Sequence, residues 1–453
     1  MPSGSPRSLP LLALATLTLA ACGGDGGDVT PRLITGGGVA DPGVDGVVNV
    51  YVVDDRSDLA LAGATVRVGA VTGTTDAAGL FTAKGDLAGP QQVTVAAAGY
   101  ATAVWVGVDG ANVTVPVARP RTSSATPPHA EIAGTITGWD ALPEPAVDHL
   151  TGALVPYSQR PTLDADDNDL APPPSQTQLD ANVCVRVRGA ATPCAWRANV
   201  RTGAVAVFAL IVDIDTRGTQ PSDDDVVTIT GFAKGPTLTV VDSVGQTGIA
   251  LTPLAASDLI TASVALGAPP AGLTQQLGIV GLDLGDAGVI RIPPLGTGAV
   301  VIPALAAVGA TSYELLASAR ATATGADGAA SVVRRRGLAS ASSLAAGAWL
   351  PPPTGLASNR TTAGFAQVAG AQVHALDFDT PAASGPDTRL MSVLILDATA
   401  SVTLPVDLTP IPGGTRFTAS AVDVGADFDP RDFELDPVKD TLSRLASDTL
   451  LLN

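Results

Sequence analysis

A two-residue alternation of β-branched side chains constrains this sequence more than any other feature. It is clearest at Val48, Val50 and Val52, and it returns in short runs that clusters of glycine, aspartate and proline separate. Such runs are typical of short antiparallel strands. The alanine-rich region 303–347 has no apolar stripe with a 3.6-residue repeat, which argues against helices there. The sequence therefore predicts an all-β protein of tandem antiparallel β-sandwich domains.

The amino terminus has the layout of an export signal. Arg7 precedes an apolar stretch, residues 9–21, that is too short to cross a bilayer of ~30 Å as a helix. Residues 19–22 (LAAC) resemble the bacterial lipobox, in which the thiol of the final cysteine receives lipid. We therefore predict that residues 1–21 are a lipoprotein signal peptide and that Cys22 is the lipidation site, carrying palmitate. An ordinary signal peptide with a chance cysteine is the alternative.

A glycine-rich tether follows Cys22. Residues 22–45 have the composition of a flexible coil, so the folded part is expected to stand off a membrane surface. Position 23 is glycine and not aspartate, which by resemblance to enterobacterial sorting favours the outer membrane of the cell envelope. The sequence leaves open whether the protein faces the periplasm or the cell surface. No later stretch reaches about 18 uninterrupted apolar residues.

Residues 46–118 carry three short motifs in a fixed order. These are LAGATV at 61–66, TDAAGLF at 75–81 and AAGY at 97–100. In wording and order they resemble the carboxypeptidase regulatory-like domain. The resemblance implies a seven-stranded, transthyretin-like sandwich that serves as an accessory module and carries no catalysis.

The polar residues of these motifs have a structural interpretation. Asp76 is expected to hydrogen-bond the backbone two residues further on, and Gly79 to supply a turn with positive φ before Phe81 enters the core. Tyr100 is expected to pack its ring inward and to keep its hydroxyl at the rim. A ligand site at Asp76, Gly79 and Tyr100 is the alternative to turn chemistry and core packing.

Composition divides the rest of the chain. Residues 119–129 are rich in proline, serine and threonine, and are predicted to be a stiff linker. Two further β-sandwich-like domains are predicted, at 130–300 and 301–453. Asp436-Pro437 has the pattern of a helix N-cap followed by proline, which predicts a short helix from Val438 to about Ala446.

Two cysteines remain after the one assigned to the lipid. An even remainder in an exported chain predicts a disulfide, here between Cys184 and Cys194. Strand alternation puts Val183, Val185 and Val187 on one face, and Cys184 on the opposite, polar face, where Cys194 would oppose it across a hairpin. Metal binding or redox chemistry is the alternative, although the chain has no CxxC motif.

Acidic clusters are the best candidates for a binding site. Asp164, Asp166 and Asn168 have the i, i+2, i+4 spacing of a calcium loop, although the loop lacks the glycine at its sixth position. A second patch combines Asp213 and Asp215, which share a strand face, with residues 223–225 (DDD) in the following loop. For both clusters the choice is between a Ca²⁺ site and a solvated acidic loop. No other cofactor is predicted.

The sequence offers little to catalysis. No HExxH, GxSxG, Walker or Rossmann pattern occurs, and the three histidines, His129, His149 and His374, are scattered. His374 lies near Asp377 and Asp379, but strand parity places it on the opposite face from both. We therefore predict that the chain has no catalytic residues of its own.

Charge narrows the range of partners. The formal net charge of −18 argues against nucleic acid and against binding an anionic lipid surface by charge. Residues 334–336 (RRR) are a basic run that is interpreted as a solvated face, with a phosphate or polysaccharide contact as the alternative.

These features lead to one functional hypothesis. A lipid-anchored, non-catalytic cell-envelope protein would present its β-sandwiches for binding or scaffolding, toward a surface polysaccharide or a partner protein. The alternative is an envelope hydrolase with an aspartate-based site of unfamiliar pattern. The two differ in whether Asp164, Asp213 and Asp223 gather beside a histidine.

Overall fold

A computed structural model describes residues 43–55, 57, 59–119, 128–160, 183–190, 193–218, 225–292, 298–321, 328–382, 387–424 and 442–452. Strands dominate these residues, as the alternation predicts. The described helical segments are one turn each, and they lie at Trp139–Ala141, Ala256–Asp258, Gly285–Ala287 and Leu305–Val308. The all-β prediction is confirmed.

Seven strands build the first module. They are β1 (Asp45–Asp54), β2 (Thr65–Val68), β3 (Val71–Thr74), β4 (Leu80–Ala88), β5 (Gln91–Ala96), β6 (Thr102–Val108) and β7 (Asn112–Val117). One sheet has the order β4-β1-β7, and β6-β5-β2-β3 lie in the other. The alternating valines that predicted these strands, among them Val48, Val50 and Val52, are fully buried between the two sheets.

A second sandwich follows. Its strands are β8 (His129–Ile136), β9 (His149–Leu154), β10 (Val183–Arg186), β11 (Ala195–Arg201), β12 (Gly203–Asp215), β13 (Val226–Val240) and β14 (Gln246–Pro253). They hydrogen-bond in the order β10-β9-β12-β13-β14-β8-β11, and this sheet folds over a core of its own. Of the predicted linker, residues 120–127 lie outside the described residues, and its last residue, His129, opens β8.

Fourteen further strands complete the chain. They are β15 (Leu259–Ala265), β16 (Gln275–Asp283), β17 (Val289–Ile292), β18 (Gly298–Pro303), β19 (Ser312–Arg320), β20 (Ala330–Leu338), β21 (Leu344–Ala345), β22 (Thr354–Ser358), β23 (Thr362–Ala366), β24 (Val373–Thr380), β25 (Thr388–Ile395), β26 (Ser401–Thr403), β27 (Arg416–Asp423) and β28 (Arg444–Leu451). Two three-stranded sheets, β18-β15-β21 and β22-β23-β26, cover parts of a much larger one.

That larger sheet has twelve strands and joins the first module to the last strands of the chain. Its order is β17-β16-β19-β20-β28-β27-β24-β25-β6-β5-β2-β3. The junction is a parallel ladder between β6 and β25, in which Thr102 is in register with Met391 and Val106 with Ile395. Arg67 and Asp407 form an ion pair across the same junction. The first module is therefore built into the sheet of the carboxyl-terminal part.

Strand β12 has apolar side chains on both faces, and each face enters a different core. Val207 and Ala209 point into the core of the second sandwich. Phe208 and Leu210 point the other way, into a core that they share with β15 to β20. A strand buried on both faces reads as an uninterrupted apolar run, which is how this segment appears in the sequence.

Two details of the predicted domains are corrected. The boundary between residues 300 and 301 falls inside β18, which pairs with β15 over Gly298–Pro303, so it divides one sheet. The helix predicted up to about Ala446 is wrong from Arg444 onward, where the chain is strand β28. Burial of Leu445 and Ala446 against neighbouring strands overrides the local helix signal there. Residues 438–441 lie outside the described residues.

Candidate functional site

Several predicted site residues lie outside the part of the chain that the structure describes. They are Cys22, the loop residues Asp164, Asp166 and Asn168, and Asp223 and Asp224. Lipidation at Cys22 and calcium binding by the aspartate loop therefore remain predictions. No described helix has the length and apolarity needed to cross a membrane.

The predicted disulfide is confirmed. Cys184 and Cys194 are bonded, with their Cα atoms 5.4 Å apart. The face assigned to Cys184 was wrong, because both cysteines are buried in the core, whereas Val183, Val185 and Val187 are 43%, 48% and 47% exposed.

The geometry around the bond also differs from the predicted hairpin. Strand β10 pairs with β9, and β11 pairs with β8, at opposite ends of the seven-stranded order. The disulfide therefore ties together the two edge strands of the second sandwich, which do not hydrogen-bond to each other as a ladder. Because the bond crosses the interior of the sandwich, the sulfur atoms point inward. The valines that alternate with Cys184 along β10 therefore point outward.

One histidine has acidic neighbours. His149 begins β9, and Asp213 and Asp215 lie on the adjacent strand β12, where Asp215 is its register partner. The His149 Nδ1 atom is 2.8 Å from Asp213 Oδ2, and its Nε2 atom is 4.0 Å from Asp215 Oδ1. The pair lies at the rim of the second sandwich, with both side chains about one third exposed (29% and 37%).

The backbone holds this rim together. Asp148 has a φ of 64°, and its carbonyl accepts hydrogen bonds from the Thr216 amide and hydroxyl, so the start of β9 is tied to the end of β12. The Asp213 and Asp215 face was predicted from alternation, but the addition of His149 was not. In the described ranges, no three His, Cys, Asp or Glu side chains are positioned to hold a metal ion.

His374 takes no part in an acidic site. Its Nε2 atom accepts a hydrogen bond of 3.0 Å from the Val368 amide, and its ring lies 5.2 Å from that of Phe365. Burial lowers the pKa of His374 below its usual range, which favours the neutral ring that can accept this bond. Asp377 and Asp379 instead bind Arg389, so the predicted separation of faces is confirmed.

Asp377 is a buried carboxylate within this second charged group. It accepts hydrogen bonds from Arg389 and from Ser392, the latter at 2.9 Å. Burial raises the pKa of Asp377 to about 6, the nearby charge of Asp379 adds to the rise, and Arg389 opposes it.

A pH dependence of stability follows from Asp377. Its pKa in the folded state, about 6, lies above its ordinary value of 3.8, so the folded chain binds a proton that the unfolded chain has lost. The free energy of unfolding is therefore expected to fall by up to about 3 kcal/mol as the pH rises from about 4 to about 6. Urea unfolding at several pH values should show the wild-type advantage over Asp377→Asn shrinking across this window. The exposed Asp286→Asn is the control, and a difference between wild type and Asp377→Asn that does not change with pH would contradict the prediction.

The prediction of a solvated face for the basic run at 334–336 is wrong for Arg334. The Arg334 side chain is fully buried, and its guanidinium lies 2.9 Å from the buried carboxylate of Glu314 on the adjacent strand. Arg291 and Arg336 approach the same carboxylate at 3.4 and 3.8 Å. Only Arg335 of the run is exposed, and it donates a hydrogen bond to the Ala345 carbonyl. The run therefore contributes Arg334 to an internal charge cluster, and it keeps Arg335 on the surface.

The first module places its motif residues as expected. The Asp76 carboxylate accepts a hydrogen bond of 2.9 Å from the Ala78 amide, and Gly79 has a φ of 72°. The Tyr100 hydroxyl donates a hydrogen bond of 2.8 Å to the buried Asp54 carboxylate, which Arg119 also contacts at 2.6 Å. These contacts agree with turn chemistry and core packing.

A shallow depression lies where β19, β20 and β28 meet. Its lining has hydroxyl groups and one guanidinium, and contains neither a carboxylate nor a histidine. The residues are Ser318, Arg320, Ala330, Ser331, Val332, Leu445 and Ser447.

Comparisons with known proteins add little to this description. No protein-family model matches the chain, and no curated protein matches it in sequence. One solved structure that resembles it is the shaft pilin SpaA from Lactobacillus rhamnosus GG. The alignment has 13% identity and a TM-score of 0.13, and it covers 46% of this chain and 98% of the pilin.

Proposed function

We propose that this chain is a lipid-anchored, non-catalytic protein of the cell envelope that presents β-sandwiches for binding or scaffolding. The observation that carries the non-catalytic part of the proposal is the pairing of buried carboxylates with arginines among the described residues. Glu314, Asp377 and Asp54 are buried, and each is held by arginine on a neighbouring strand or segment. Groups committed to one another in this way are closed to a substrate, whereas catalysis needs acid, base and nucleophile that converge on an open site.

The continuity of the fold supports a presenting role. The twelve-stranded sheet has core on both faces, and it links the first module to strands near the carboxyl end. Such a body fixes the strand ends from which its loops extend, as a scaffold requires. We also propose that residues 46–118 are an accessory module of the carboxypeptidase regulatory-like type, on the strength of its seven strands and the Asp76–Gly79 turn.

The partner is proposed by class. A surface polysaccharide or a partner protein fits an anchored body with many loops and a strongly acidic surface. Calcium held by Asp164, Asp166 and Asn168 would add a cation bridge to an anionic partner. This part of the proposal rests on the sequence.

The anchor is tested at Cys22. Metabolic labelling with palmitate is expected to mark the wild-type chain, and Cys22→Ala is expected to lose the label completely, because the lipidated thiol is gone. In cell fractionation, the wild-type chain should be found with the membranes and the variant in the soluble fraction. The matched control is Cys184→Ser, which leaves the thiol at position 22 in place. Equal labelling of Cys22→Ala would refute the anchor.

A hydrolase is the second candidate, and the 2.8 Å contact between His149 and Asp213 favours it. A histidine oriented by a carboxylate is one half of many catalytic sites. We expect no turnover of peptide, ester, glycoside or phosphoester substrates by the purified chain, because the pair lies on a part-exposed rim where water competes for contacts with a substrate. Activity that survives repurification, disappears in His149→Gln and persists in His129→Gln would establish the hydrolase instead.

A further inference from the structure

The shallow depression where β19, β20 and β28 meet has hydrogen-bond donors on one face of the sheet. Two cross-strand rows form it. Arg320, Ala330 and Ser447 are register partners in the first row, and Ser318, Val332 and Leu445 in the second. Residues two positions apart on a strand project to the same face, so the Arg320 guanidinium and the hydroxyls of Ser318 and Ser447 share one side of the sheet.

The floor of the depression is part of a packed core. Val332 and Leu445 are buried, and they belong to the core that the first module shares with the twelve-stranded sheet. Packed interiors of this kind leave little room for side chains to shift. Ser318 and Ser447 extend from strands that this core holds in place, so their positions are fixed as well.

The serine hydroxyls have hydrogen-bonding capacity that the described residues do not use. Ser318 and Ser447 are each 5% exposed, and neither hydroxyl hydrogen-bonds to another described residue. Ser420, the register partner of Ser447 on β27, is fully buried, and its Oγ atom also has no partner among the described residues. A buried hydroxyl ordinarily has a hydrogen-bond partner, so this group of hydroxyls indicates a place for one.

Arg320 adds a positive charge to the depression. Its side chain is partly buried, and burial lowers the pKa of its guanidinium, because the charged form loses contact with water. None of the described residues that line the depression is a carboxylate. A guanidinium beside hydroxyl donors is a combination that binds oxyanions, since its planar fork presents parallel donors to their oxygen atoms.

We infer that this depression binds a single oxyanion group, a carboxylate or a sulfate, with Arg320 supplying the charge and Ser318 and Ser447 donating hydrogen bonds. Its volume of about 260 Å³, which includes the side open to solvent, is below the roughly 300–1,000 Å³ of sites for whole small molecules. A free anion and an acidic substituent of a polysaccharide present the same chemistry to such a site. The inference goes beyond the proposed function, and it stands whether or not Cys22 carries lipid.

Isothermal titration calorimetry of the full chain at constant ionic strength tests the site. The probes are inorganic sulfate, galacturonate and polygalacturonate, and galactose is the uncharged counterpart of galacturonate. We expect sulfate and galacturonate to bind with a millimolar Kd, and galactose not to bind. Tighter binding per carboxylate by polygalacturonate would identify a polymer as the source of the group, and equal binding per carboxylate would identify a free anion.

Two variants assign the binding to the depression. Arg320→Gln is expected to weaken binding about tenfold or more, because a charge-assisted hydrogen bond is lost. Ser447→Val fills the depression and removes a donor, and binding about fivefold weaker is expected. The matched control is Arg335→Gln, which removes an exposed arginine of β20 and should leave the Kd unchanged.

Circular dichroism shows before each titration that the variant is folded. Three results would each overturn the inference. They are failure of both sulfate and galacturonate to bind the wild type, binding of galactose as tight as that of galacturonate, and an unchanged Kd in folded Arg320→Gln or Ser447→Val.

Discussion

Replacing Glu314 by glutamine is expected to lower the free energy of unfolding by about 3–5 kcal/mol, although the change alters only one atom type. The Glu314 carboxylate is 1% exposed, and the Arg334 guanidinium against it is fully buried. Burial lowers the pKa of Arg334 and the charge of Glu314 opposes that fall, so the charged guanidinium depends on this carboxylate. The variant keeps the shape of the side chain but leaves the arginines around it without this carboxylate. Urea unfolding monitored by circular dichroism measures the loss.

Two further variants separate the effect of charge on stability from the effect of packing at Glu314. Glu131→Gln, on the exposed face of β8, is the matched control and should change stability by less than about 0.5 kcal/mol. Adding Arg334→Met to Glu314→Gln should recover part of the loss, because the fully buried guanidinium is removed while Arg291 and Arg336 still lack the carboxylate. Equal stability of Glu314→Gln and Glu131→Gln would show that the buried charges are not coupled.

Phe208→Ala is expected to cost a similar ~3–5 kcal/mol, and to weaken two sandwiches together. Phe208 is 1% exposed, and it projects from β12 of the second sandwich into the core that β15 to β20 complete. Truncating it leaves a cavity that rigid strands on both sides cannot close. Hydrogen exchange should therefore become faster in β12 and in β16 and β19 alike.

The control for Phe208 lies on the neighbouring strand. Val226→Ala removes an apolar side chain that is 41% exposed at the start of β13, and little change is expected. If exchange in Phe208→Ala rises only within residues 129–253, the second sandwich is energetically independent of strands β15 to β20. That result would restore the picture of separate tandem domains.

Alternation in the sequence was sufficient to predict strands, because each strand faces a core on at least one side. Val48, Val50 and Val52 alternate and are buried, and the disulfide between Cys184 and Cys194 followed from parity of the cysteine count. The direction of Cys184 was not predictable in this way. Valine is ordinarily assigned to the core because it is apolar. Where valine alternates with cysteine, however, either face of the strand can be buried, and the bonded cysteine across the sandwich decides which one is.

The charged clusters depended on contacts that are distant in sequence. His149 and Asp213 are 64 positions apart, and nothing near either residue indicates the other. Arg334 belongs to a run of three arginines, which ordinarily indicates solvent exposure, and its counter-charge on β19 is an isolated glutamate in an apolar strand. The available signal in the sequence was an acidic residue, Glu314, inside an otherwise apolar strand. Such a residue indicates that a basic residue pairs with it in the core.

The parallel ladder between β6 and β25 also determines the order in which the chain can complete its fold. The chain is made from its amino terminus and, under the proposed export, also crosses the membrane in that direction, so the strand that completes β6 arrives about 290 residues later. During that interval β6 presents an unsatisfied edge of seven buried-type residues, the kind of edge that recruits stray strands. Successful production of this protein therefore depends on keeping a nearly finished first module from associating with its neighbours until the last third of the chain arrives.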